Sequence, residues 1–146
     1  MPTLQKQVLF TGQQRGYYLY RIPSLIVSKK NTVLAFCEAR RHTGADDDEI
    51  DIAMRRSFDN GKTWDEQHII VSDGIRTCSN PCSVVDMATG TILLLFCKDN
   101  QQVFLTKSYD DGQTWTEPKE ITNTTKNPNW TYVGTGPGHG IQLKSN

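Results

Sequence analysis

The chain has 146 residues, with 16 Lys and Arg balancing 16 Asp and Glu. That length suits about one domain able to bury a core, and the balanced charge gives no reason to expect nucleic acid or an acidic surface as a partner. No run of about 18 apolar residues marks a membrane span, and the opening MPTLQKQVLFTGQQ lacks an apolar leader segment. A cytoplasmic chain is expected, or a secreted one whose leader lies outside this sequence.

Helical periodicity is almost absent. Short apolar or alternating runs separated by turn residues predict an all-β chain. Strands are expected near 22–28, 32–39, 50–56, 67–72, 82–87, 91–97, 102–108, 118–122 and 139–144. Lys29-Lys30-Asn31, Asn60-Gly61, Thr89-Gly90, Asp99-Asn100 and Asp111-Gly112 supply the turns between them.

The sequence repeats itself. SFDNGKTW at 57–64 returns as SYDDGQTW at 108–115, an offset of 51 with five of eight positions identical. In each copy the Asp and hydroxyl oxygens can satisfy backbone N–H groups, the Gly can take positive φ, and the Trp can cover the hairpin. Pro23, Pro81 and Pro137 precede or begin apolar strands at spacings of 58 and 56, as suits an edge strand that needs no donor there. Four strands per unit and this period predict a β-propeller.

Expected blade limits are about 20–73 and about 80–123, with a third blade starting at about 130–146. Closed propellers have about four to eight blades, and so short an array leaves strand edges unpaired. The chain is therefore expected to be the N-terminal part of a larger domain.

The units differ in one place. Counted from Phe36 to Ser57 and from Phe96 to Ser108, the first carries nine extra residues between its second and third strands. They form a charged loop. Arg21 starts the first strand, Glu38, Arg40 and Arg41 follow the second, and Asp46, Asp47, Asp48 and Glu49 come next. Arginines converging from separate strands beside a carboxyl group suit an anionic, acid-labile substrate.

Cys37 and Cys97 end apolar runs and are expected to be buried thiols. Cys78 and Cys82 have no second pair or nearby His, so no zinc site is expected.

These motifs resemble those of the retaining exo-α-sialidases. Tyr20-Arg21-Ile22-Pro23 is similar to the YRIP motif that opens the family, and the two SxDxGxTW segments are similar to its Asp boxes. FCEARR, the loop closing on Ile50-Asp51, Asn80-Pro81-Cys82 and Thr135-Gly136-Pro137-Gly138-His139-Gly140-Ile141-Gln142 follow in the family's order. The resemblance implies a six-bladed propeller, here its first two blades plus the first strand of a third, with the site at the channel mouth.

It implies that Arg21 binds the sialic acid carboxylate, that Arg40 binds the sugar beside the acid, and that Asn80 contacts the sugar. It implies Asp46 as general acid/base, five residues before Asp51, with Asp47 and Asp48 as rivals. Arg41 is read as a surface neighbour, and Asp51 as a strand residue bonding backbone or Arg55. Glu38 either orients Arg40 or faces the sugar directly, and His139 is structural.

The family's nucleophile is a Tyr assisted by a Glu. None of Tyr17, Tyr18, Tyr20, Tyr109 and Tyr132 has the matching context. The implied activity is release of terminal sialic acids from glycoproteins, glycolipids or oligosaccharides, without metal or organic cofactor. A non-enzymatic Asp-box binding module and a trans-sialidase are the alternatives. Two sequons at Asn123 and Asn129 matter only on a eukaryotic secretory route.

Overall fold

In the computed structural model, which describes residues 4–144, two four-stranded antiparallel sheets stand side by side. Sheet one contains β1 (Leu19–Val27), β2 (Val33–Arg40), β3 (Ile50–Ser57) and β4 (His68–Val71). Sheet two contains β5 (Cys78–Val85), β6 (Ile92–Lys98), β7 (Gln102–Ser108) and β8 (Lys119–Glu120), followed by the short helix α1 (Thr122–Thr125). Each sheet is a meander with its strands in chain order, which is the form of a propeller blade. No helix among the described residues is long and apolar enough to cross a membrane.

The core lies between the blades. Leu34, Phe36, Ile52 and Met54 of sheet one meet Ile92, Leu94 and Phe96 of sheet two, all at or near zero exposure. Each such side chain contributes roughly 1.5–3 kcal/mol by leaving water. The intervening residues Cys37, Ala39 and Ala53 face the other way, against Tyr17 and Phe10 of the chain before β1. Burial on both faces explains why β2 reads as a continuous apolar run rather than an alternation.

Strand register corrects the count of the insertion. Val33 pairs with Ser57 and Ile92 with Ser108, so equivalent residues lie 59 apart before the loop and 51 apart after it, an insertion of eight rather than nine. Phe36 and Phe96 are not equivalent. Each turns into the shared interface from its own side, one position out of register with the other.

Pro23 and Pro81 do not start their strands. Both sit inside, where the register slips between Arg21 and Ser24 and between Ser79 and Cys82. A bulge leaves a residue out of the ladder, so the missing N–H costs nothing there. The residue before each proline is left-handed, Ile22 at φ 54° and Asn80 at φ 56°.

Strand β5 consequently begins at Cys78, four residues before the expected start at 82. Residues 139–144 form no strand. They contribute one parallel bridge, Ser83 with His139, through the Gly140 N–H donating to the Ser83 carbonyl at 2.8 Å. One bridge is not a ladder, and the local apolar pattern alone does not supply one.

The repeated turns follow β3 and β7. In the first, Ser57 Oγ donates to Asp59 at 2.8 Å, and Asp59 accepts from the Thr63 N–H at 2.8 Å and its hydroxyl at 2.6 Å. Ser108, Asp110 and Thr114 repeat the set at 2.9, 2.8 and 2.5 Å. Cys37, Cys78 and Cys97 are buried and Cys82 half-buried, all as free thiols. Burial pushes the Cys78 thiol up to about 12, so it carries no thiolate character at neutral pH.

Candidate active site

Glu38 and Arg40 lie two residues apart at the end of β2 and so share one face of the sheet. Both side chains are almost wholly buried, and Arg40 Nη2 meets Glu38 Oε2 at 2.6 Å, with Nε at 3.0 Å. Burial alone disfavours the guanidinium charge, but hydrogen bonds to Glu38 and Asp46 outweigh it, and the Arg40 pKa is raised. Glu38 therefore orients Arg40. Its other oxygen, Oε1, accepts the Asn80 backbone N–H at 2.8 Å across the blade boundary.

Arg21 pairs in register with Glu38 at the last regular position before the β1 bulge. Its half-exposed guanidinium reaches Asp46 Oδ1 at 3.3 Å, and Arg40 Nη1 lies 2.8 Å from the same oxygen. Both guanidiniums also donate to the Gly44 carbonyl. The structure thus brings Arg21, Arg40 and Asp46 together. Asn80 joins them on the far wall, left-handed and buried, with its amide donating to Asn100 Oδ1 at 3.1 Å.

The three adjacent aspartates separate cleanly. Asp46 points into the cleft with its side chain 71% exposed, and Asp47 faces solvent. Asp48 turns inward and holds the loop, accepting the backbone N–H groups of His42, Thr43 and Glu49 at 3.0, 2.7 and 2.8 Å. Burial opposes its charge, but those bonds prevail and its pKa is lowered. The Asp48 carbonyl accepts the Thr77 hydroxyl at 2.6 Å, tying the loop to sheet two.

Arg41 points away from the cleft. It pairs with Glu49 at 2.7 Å and Asp51 at 2.6 Å and stacks over the Tyr17 ring at 4.9 Å. This corrects the expected partner of Asp51, which accepts from Arg41 and from the Tyr17 hydroxyl, both at 2.6 Å. Arg55 reaches the Asp65 and Leu9 carbonyls instead. His139 lines a separate apolar groove with Val84 and Met87.

The cleft encloses about 80 Å³, well below the roughly 300 Å³ at which ligand pockets begin. Ser79, Asn100 and Tyr132 also line it and were not expected from sequence. Asn100 reads there only as a turn residue, and Tyr132 lies in a loop without motif. Among the described residues no cluster of His, Cys, Asp and Glu could hold a metal ion.

Two meander blades with Asp-box turns at one end and a charged cleft at the other define an Asp-box propeller. Residues 31–146 match the family model described as a BNR repeat-like domain, and the chain belongs to the BNR-repeat sialidase family. Sialidase-2 of Cricetulus griseus is 34% identical over 170 residues, covering 99% of this chain and 44% of the relative. An exo-alpha-sialidase of Aspergillus fumigatus is 28% identical over 160 residues, covering 88% and 39%.

Among solved structures, a Hadza microbial sialidase superposes with a TM-score of 0.82 at 30% identity, over 88% of this chain and 31% of that one. A leech intramolecular trans-sialidase, with a TM-score of 0.79 at 14% identity over 99% and 41%, shares the fold. The chain spans less than half the length of these curated relatives.

Proposed function

We propose that the full-length protein is a retaining exo-α-sialidase that releases terminal sialic acids from glycoproteins, glycolipids or oligosaccharides. The observation that carries this reading is the Asp46 carboxylate held between the guanidiniums of Arg21 and Arg40, 3.3 and 2.8 Å away. An anion-binding module gains nothing from a carboxylate that competes with its ligand for both cations. An acid catalyst needs one beside the anion clamp.

In this reading the substrate carboxylate takes the half-exposed Arg21 in bidentate fashion and displaces Asp46 from it. Once released from Arg21, Asp46 takes up a proton from solvent and passes it to the departing glycosidic oxygen, and the carboxylate this leaves later accepts a proton from the incoming water. Arg40, wedged by Glu38, stays fixed beside the sugar, and the Asn80 amide offers a contact on the opposite wall. The Tyr nucleophile and its Glu belong to parts of the protein beyond these 146 residues, so this stretch alone is inactive.

The test is hydrolysis of sialosides by the full-length protein and its Asp46→Asn variant. Release from an oligosaccharide falls by about 10²- to 10⁴-fold in the variant, while Asp47→Asn leaves it unchanged. An inactive wild type, or equal losses in the two variants, overturns the reading.

A further inference from the structure

We infer that Asn100 is the positioning residue through which sheet two fixes Asp46 in the cleft, an inference that rests on the sialidase reading above. Asn100 occupies the turn between β6 and β7 at φ 52°. Its Nδ2 donates to the Asp46 backbone carbonyl at 3.3 Å. Its Oδ1 accepts the Ser79 hydroxyl at 2.9 Å and the Asn80 amide at 3.1 Å. Its own carbonyl accepts the Val133 N–H at 2.9 Å.

One side chain and its carbonyl therefore join three segments that meet nowhere in sequence: the insertion loop, the β5 bulge and the stretch after α1. The amide orientation is fixed by chemistry. The Asp46 carbonyl can only accept, so Nδ2 must face it, which leaves Oδ1 to accept the Ser79 hydroxyl and the Asn80 Nδ2–H.

The tie matters because of what else holds Asp46. Its carboxylate is held by Arg21 and Arg40, the contacts that proton delivery has to loosen. The bond from Asn100 grips the main chain and persists while the carboxylate moves. The Asp48 bonds shape the loop from inside, and only its carbonyl is tied to sheet two, through Thr77. Without Asn100, Asp46 keeps its neighbours but loses a fixed distance to the departing oxygen. A misplacement of about 1 Å is enough to cost roughly 10²-fold in rate.

Two variants of the full-length protein test this on two substrates. Asn100→Gly keeps the left-handed turn and removes the amide. Asn100→Asp keeps the shape and replaces the donor by an acceptor that repels the Asp46 carbonyl. A sialoside with an acidic aryl leaving group needs little acid assistance, whereas sialyllactose, with a sugar alkoxide to expel, depends on it.

The expected result is a loss in kcat/KM, which reports the acid-assisted first step alone, of about tenfold or more on sialyllactose in both variants, with kcat/KM for the aryl sialoside within about threefold of wild type. Equal losses on the two substrates, or none on either, overturn the inference while leaving the sialidase reading intact. A wild type inactive on both substrates overturns the reading itself, and the inference with it.

Discussion

In sheet one, the nine residues 41–49 join the second and third strands; in sheet two, the three residues 99–101 do so. At the opposite ends of the sheets, the turns at 57–64 and 108–115 share the same Ser-to-Asp and Asp-to-Thr bonds. The repeat is kept where the scaffold needs a turn and abandoned where the charged cleft lies. The short connection is not idle, since its Asn100 steadies the long one. Divergence at one end uses both blades.

The alike ends still differ in what they touch. A Cβ on Gly112 would lie 2.5 Å from Leu34 Cδ2, whereas one on Gly61 meets nothing closer than Trp64 at 3.8 Å. Trp115, partly buried, packs edge-on against Phe36 at 5.9 Å, at the margin of the core between the blades. Trp64 instead donates to Gln7 and the Gly61 carbonyl.

The sharpest way to expose this difference is to place alanine at each glycine. Both lie at φ near 80°, so each substitution meets the same backbone penalty of about 1–2 kcal/mol. Leu34 is fully buried and cannot swing aside, so Gly112→Ala adds an overpacking cost of about 1–3 kcal/mol. Thermal unfolding of the full-length protein should show Gly112→Ala melting well below Gly61→Ala. Equal shifts would mean that the two turns are interchangeable.

A smaller effect tests what the turns share. Hydrogen bonds from the Thr63 side chain and backbone hold Asp59 down to about 2. For Asp110 burial pulls upward, but the Thr114 bonds prevail and it too lies at about 2. An unfolded Asp titrates near 3.9, so the folded values are depressed. Their stabilisation is complete above the unfolded pKa and is lost as pH falls from about 5 towards 2. Replacing both by Asn should flatten the dependence of melting temperature on pH in that window. An unchanged slope would show that other carboxylates govern acid unfolding.

Sequence made the scaffold legible because turn residues and apolar runs are local signals. It failed where a strand depends on a distant partner. The apolar pattern at 139–144 resembles a strand, yet a single bridge to Ser83 is all that forms. Pro81 read as a strand start because its missing donor is local knowledge, whereas the bulge that tolerates it is visible only in the register of β5 with β6.

In the cleft, Arg21, Arg40 and Asp46 are singled out by their resemblance to the family's motifs, and a motif says nothing of direction. Only the fold shows Asp48 turned into the loop and Asp46 out of it. Asn100 and Tyr132 reach the cleft from turns and loops that carry no pattern of their own.

The two bulges offer the finest test of the comparison. Ile22 and Asn80 occupy equivalent places before the prolines, with φ of 54° and 56°, yet only Asn suits that conformation. Asn tolerates the left-handed region through its short polar side chain, whereas a β-branched residue there is strained. Ile22 also lines the cleft beside Arg21, so the strain sits where the guanidinium is aimed. Ile22→Asn should therefore stabilise the full-length protein by about 1 kcal/mol, read as a higher melting temperature, because the backbone is already in the shape asparagine prefers. If the melting temperature falls instead, apolar contacts of Ile22 outweigh the strain, and the two bulges are held open by different forces.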